Sequence, residues 1–134
     1  MNDGNKTILN ISIITLIIVF LVYRSMKIDK LKDHYNTAIG TIYNYNKSFG
    51  SYFWILYGYF YDNGVQYKFS RELPCKELSG DLIQAKLMGI KVEVVYDPNS
   101  PTTNEMLLDE RAYIKYNIPF PDSLRWMANF VNCR

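Results

Sequence analysis

The residues whose types could do chemistry are few in this chain. Cys75 follows Pro74 and precedes Lys76, and a neighbouring ammonium favours the thiolate, the nucleophilic form. A thiol nucleophile also needs a base, and the one histidine, His34, stands far upstream beside Asp33 and Tyr35. That histidine reads as a solvated surface residue, and without a CxxC pair the chain lacks an obvious zinc set. Cys75 and Cys133 permit one disulfide, only in an oxidising compartment, and spacing alone does not say whether they meet. Asp109-Glu110-Arg111 supplies adjacent carboxylates, but neighbours on a strand point to opposite faces and in a loop they simply solvate. Asp97, before Pro98, reads as an acceptor for backbone N–H groups of a turn. No phosphate loop, GxGxxG or Ser/His/Asp set can be assembled. The expectation is a non-enzymatic protein with no cofactor and no metal.

Aromatic residues are the excess, at 16% of the chain, with twelve tyrosines. Large amphipathic rings anchor interfaces when they are not core. Charge argues against one class of partner. Of fifteen Lys and Arg, five lie at or before Lys32; of thirteen Asp and Glu, three lie at or before Asp33. Ten of each sign remain from His34 onward, so the bulk of the chain is neutral. A neutral domain cannot gather the phosphate contacts that supply nucleic-acid affinity, so nucleic acid is not an expected partner.

The elements that must position these residues begin with an uncharged run. After a short flank, 1–6, the residues Thr7 to Tyr23 carry no charge and almost no polar face. At 1.5 Å per residue they span roughly 25 Å, slightly short of a hydrocarbon core, and Arg24 and Lys27 can snorkel to water. The sequence therefore predicts a single-pass transmembrane helix over 7–23. The bulky, basic segment that follows does not resemble a signal-peptide cleavage site, so the helix reads as a signal-anchor in the plasma (inner) membrane. Arg24, Lys27, Lys30 and Lys32 outweigh Lys6 across the span. The positive-inside rule then favours a cytoplasmic domain, with the periplasmic or extracellular side as the alternative. Residues 24–36 read as a charged helical stalk.

Residues 37–134 read as a small, mainly β domain of the α+β class: an antiparallel sheet with a C-terminal helix packed on it. Thr37 to Asn46 alternates as a first strand, with Ile39, Thr41, Tyr43 and Tyr45 on one face. Tyr52 to Tyr61 is a strand by propensity, and Asn63-Gly64 suits a type I′ turn into a return strand from Val65. This fixes a register in which Asp62 opposes Val65, Phe60 opposes Tyr67 and Gly58 opposes Phe69. Trp54, Leu56, Gly58, Phe60, Val65, Tyr67 and Phe69 then form the core face. Phe53, Ile55, Tyr57, Tyr59 and Tyr61 share the opposite face, and something must cover it. Asp81 to Met88 reads as a short helical crossing. Ile90 to Tyr96 reads as a strand with Ile90, Val92, Val94 and Tyr96 inward, and Asp97 to Pro101 as a rigid turn. Glu105 to Leu108 could add a last strand. A helix over 122–132, capped by Asp122 or Ser123, presents Leu124, Met127, Ala128 and Val131.

Val92-Glu93-Val94-Val95-Tyr96-Asp97-Pro98-Asn99-Ser100-Pro101 resembles the strand and turn of a widespread bacterial family of membrane-associated domains of unknown function, in which V-x-V-x-Y-D-P precedes an N-P step. Gly40-Thr41-Ile42 and Tyr61 to Tyr67 are similar to that family's early strand and hairpin. Ser100 separates Asn99 from Pro101, where the family has them adjacent, and the second transmembrane helix of many relatives is missing here. The resemblance implies a small β domain held at a membrane and no activity. The expected function is a membrane-anchored interaction module that binds the bilayer and a protein or membrane complex, with Phe53, Tyr57, Tyr59 and Tyr61 as the candidate contact residues. A toxin-neutralising immunity protein is an alternative within that class; a thiol-redox component using Cys75 is the alternative outside it.

Overall fold

The structure, a computed structural model, describes the backbone of residues 3–48, 50, 53–73 and 77–130, and the side chains of these apart from 3–9, 27–30 and 129. The Cys75–Cys133 pairing, Pro74 and the last residues of the expected 122–132 helix lie outside the described residues. A helix α1 (Asp3–Leu31) leads into strands β1 (Asn36–Lys47), β2 (Trp54–Asp62) and β3 (Val65–Leu73). A short helix α2 (Gly80–Lys86) crosses to β4 (Lys91–Asp97) and β5 (Ser100–Met106). Helix α3 (Glu110–Lys115) and a 3-10 helix (Asp122–Asn129) follow. All strand pairs are antiparallel, in the order β3-β2-β1-β4-β5.

The β2–β3 hairpin has the register that its turn dictates. Asn63 and Gly64 both hold positive φ, 49° and 80°, as a type I′ turn requires. Asp62 pairs with Val65, Phe60 with Tyr67 and Gly58 with Phe69. Leu56, Gly58, Phe60 and Phe69 are buried as expected; Val65, at the hairpin tip, is instead 52% exposed. Phe60 stacks against Tyr67 and lies 5.0 Å, centroid to centroid, from the ring of Tyr96 on β4.

Two edges of this sheet approach each other without forming a ladder, so the sheet curls around its core. Side chains stitch the seam. The Arg71 guanidinium on β3 donates to the Met106 carbonyl at 2.5 Å and pairs with the Asp109 carboxylate. The Asn104 amide on β5 donates to the Lys68 carbonyl at 3.3 Å. Tyr96 donates its hydroxyl to Asp62 at 2.8 Å, joining β4 to the end of β2. One end of the curl is plugged by the α2 crossing, whose Ser79 side chain caps the helix at Leu82 N–H. Leu78, Ile83 and Leu87 there join the core, and the Trp54 indole donates to the Leu78 carbonyl at 2.7 Å.

Four expectations are corrected. β1 contains a bulge between Ile42 and Asn44, so Tyr45 opposes Leu56 and changes face while Tyr43 stays outside. β5 begins at Ser100 rather than Glu105; it is an edge strand, where Pro101 removes no ladder bond that is needed. Asp109 is neither a strand nor a loop residue but the N-cap of α3, accepting from Ala112 N–H at 3.0 Å. The C-terminal helix is 3-10, its N-cap is Pro121, and neither Asp122 nor Ser123 caps it. With three residues per turn, Leu124, Met127 and Phe130 align toward the core, whereas Ala128 is exposed.

Helix α1 carries Ile11 through Tyr23 away from this core. Its large apolar side chains from Ile11 to Tyr23 are each about half exposed or more, on consecutive positions and therefore on every side of the helix. Leu31, at its end, is buried at 2% exposure and fixes the helix to the domain. Among the described residues no helix is long and apolar enough to cross a membrane. The described side chains of α1 cover 10–26, about 25 Å of a 29-residue helix. The stalk expected over 24–36 gives way to strand at Asn36.

Candidate functional site

The four aromatic side chains singled out in the sequence do not form one patch. Tyr59 and Tyr61 alternate outward on β2, and their rings meet edge-on at 5.8 Å. The Tyr43 ring, on the same outer face of β1 as Ile39 and Thr41, lies 5.9 Å from Tyr59. Tyr61 is 57% exposed and Tyr43 49%, while Tyr59 between them is half-buried. Ile39, two residues before the Thr41 that opposes Tyr59, adds a further exposed apolar side chain on this face. Tyr57 faces a different environment, a cleft between Arg24 of α1 and the seam. Phe53 precedes β2 at the end opposite Tyr61; it is partly buried, and its carbonyl accepts from Ser48 N–H to close the β1–β2 turn.

Alternation groups Tyr43 with Ile39 and Thr41, and the structure makes theirs the outer face; what had no sequence signal is the departure of Tyr45 from it. Its strand alternates without a break in the sequence, and a bulge is set by cross-strand fit rather than by local propensity. The 3-10 helix does not cover the Tyr43–Tyr59–Tyr61 ladder; its apolar side chains are spent on the core.

Several titratable groups have structural partners. Asp109 caps α3 and holds Arg71 across the seam. Glu105 accepts from the Lys115 ammonium at 2.6 Å and from the Tyr116 hydroxyl at 2.5 Å. Burial and the adjacent Glu105 carboxylate both push the Tyr116 phenol well up, so it remains a neutral donor. Burial pushes Tyr113 up to about 12. Asp97 accepts from Asn99 N–H at 2.8 Å, the turn role expected of it. His34 is exposed in the turn between α1 and β1. Among the described residues no group of His, Cys, Asp and Glu could hold a metal ion.

The arrangement places exposed rings on a two-stranded support, beside a cleft lined by Arg24 and the seam. No family model, no curated protein and no solved structure matches this chain.

Proposed function

We propose that the chain is a membrane-anchored, non-enzymatic interaction module. In this reading α1 enters a bilayer, and the outer face of the β1–β2–β3 sheet binds a protein partner or membrane complex. The observation that carries it is the Tyr43–Tyr59–Tyr61 ladder, with its outer rings exposed, on a domain where Asp109 and Glu105 are committed to a cap and ion pairs. Rigid aromatic side chains already held by neighbouring rings lose little entropy on docking, which suits them to anchor an interface.

The anchor reading is supported by the all-round exposure of Ile11 to Tyr23. In water such a helix would leave apolar surface uncovered on every side. The uncharged run also extends toward the N-terminus to Thr7, beyond the described side chains. The heavier basic flank after Tyr23 favours a domain on the cytoplasmic side.

A photo-crosslinking residue at Tyr61 in the full-length chain, expressed in cells, tests the binding face. The expected result is a discrete protein adduct that disappears with Tyr59→Ala. That substitution should cost the fold no more than about 1 kcal/mol, because Tyr59 is only half-buried. A crosslink pattern no different from one obtained at exposed Lys32, or unfolding of the Tyr59→Ala domain, overturns the assignment.

A further inference from the structure

The cleft between α1 and the seam has two chemically distinct ends. At the Leu31 end its lining is mixed in charge, with Glu72 and Glu105 beside Arg71, and Arg24 borders both ends. Toward Arg24 it continues as a hollow of about 330 Å³ whose lining contains no carboxylate at all. That hollow is lined instead by two cationic residues, Arg24 and Lys68, and by the hydroxyl-bearing residues Tyr43, Tyr57, Ser70 and Thr102, the last with its hydroxyl 3.5 Å from that of Ser100. Neither the Arg24 guanidinium nor the Lys68 ammonium has an ion-pair partner among the described residues. The remaining polar group, the Asn104 amide, is occupied with the carbonyls of Lys68 and Pro101. Two cations without an ion-pair partner among the described residues, in a hollow lined by hydroxyl-bearing residues and no acid, suit an oxyanion.

The position of Arg24 selects the source of that anion. It is the first charged residue after the run Thr7 to Tyr23, so on the reading that α1 enters a bilayer it stands at headgroup depth. Lys68 and the hydroxyls of β2, β3 and β5 face it from the domain side. We propose that this acid-free hollow binds the phosphate of an anionic phospholipid headgroup, which docks the domain against the bilayer from which it hangs. The inference rests on the anchor reading.

The test uses full-length protein in phosphatidylcholine vesicles, with spin-labelled phosphatidylglycerol or spin-labelled phosphatidylcholine as the probe. The fraction of motionally restricted label gives the relative association of each lipid. Phosphatidylglycerol is expected to be preferred, and Lys68→Gln to reduce that preference about five-fold, the usual worth of one basic residue at an anionic surface. Lys91→Gln, at an exposed residue that does not line the hollow, should leave it unchanged. Equal association of both lipids overturns the proposal, as does a preference indifferent to Lys68→Gln. Erasure of the preference by millimolar inorganic phosphate shows a site for free phosphate and overturns the lipid assignment. An alkaline wash of the same vesicles separates the two readings. Protein that stays with the lipid but shows no preference refutes the hollow alone, and protein that washes off refutes the anchor and the hollow together.

Discussion

Gly58→Ala is expected to destabilise the domain by about 3 kcal/mol, at the upper end of the cost of overpacking a core. A Cβ at this position would sit 2.0 Å from Cζ and 2.1 Å from Cε2 of Phe69, and 2.8 Å from the backbone oxygen of Thr41. The ring cannot simply move aside. Phe69 is only 5% exposed, and on its other side a Cβ at Gly40 would lie 2.5 Å from the same ring. The two glycines therefore form a slot across β1 and β2 that admits one aromatic side chain from β3. Chemical unfolding of the isogenic pair measures the effect. The specific signature is partial rescue: Phe69→Leu, destabilising by itself, should recover part of the loss when combined with Gly58→Ala, because the smaller side chain vacates the slot. Additive losses would mean that the glycine matters for some reason other than this contact.

Arg71→Ala should cost about 2–3 kcal/mol, more than a surface ion pair would. Its partner Asp109 has a side chain only 13% exposed and would be left without its cation, while the Met106 carbonyl would lose its donor. The loss also has a place: it opens the seam between β3 and β5, which side-chain bonds hold across the missing ladder. Amide exchange should accelerate first in β5 and α3, ahead of the β1–β2–β3 sheet. Uniform exchange through global unfolding would contradict the seam as a separate point of weakness. Asp109→Ala is expected to cost as much, because it removes the same pair together with the α3 cap.

Much of this fold was legible in sequence where local chemistry is decisive. Asn63-Gly64 sets a turn with two positive-φ positions, and from that turn the whole β2–β3 register follows with no long-range information. Alternation then sorts Leu56, Gly58 and Phe60 inward from Tyr57, Tyr59 and Tyr61. The inward positions of Val92, Val94 and Tyr96 on β4 follow by the same rule.

The errors arose where the deciding contact is distant. Nothing near Tyr43 signals a bulge; it arises from how β1 is held between β2 and β4, and it moves Tyr45 inward. Asp109 reads locally as a solvated strand or loop acid, yet it caps α3 through the Ala112 N–H. Its second partner, Arg71, is thirty-eight residues away and invisible to local reading. The cleft of Arg24 and Lys68 has the same origin, since its two sides come from the first helix and the third strand.

Fractionation of full-length protein from broken cells measures most directly whether lipid solvates α1. The prediction is that the protein sediments with membranes and stays there through alkaline carbonate. The double substitution Ile14→Lys/Ile18→Lys should release it, since each central lysine costs roughly 3 kcal/mol of insertion. Unmodified protein in the aqueous supernatant without detergent would contradict the account.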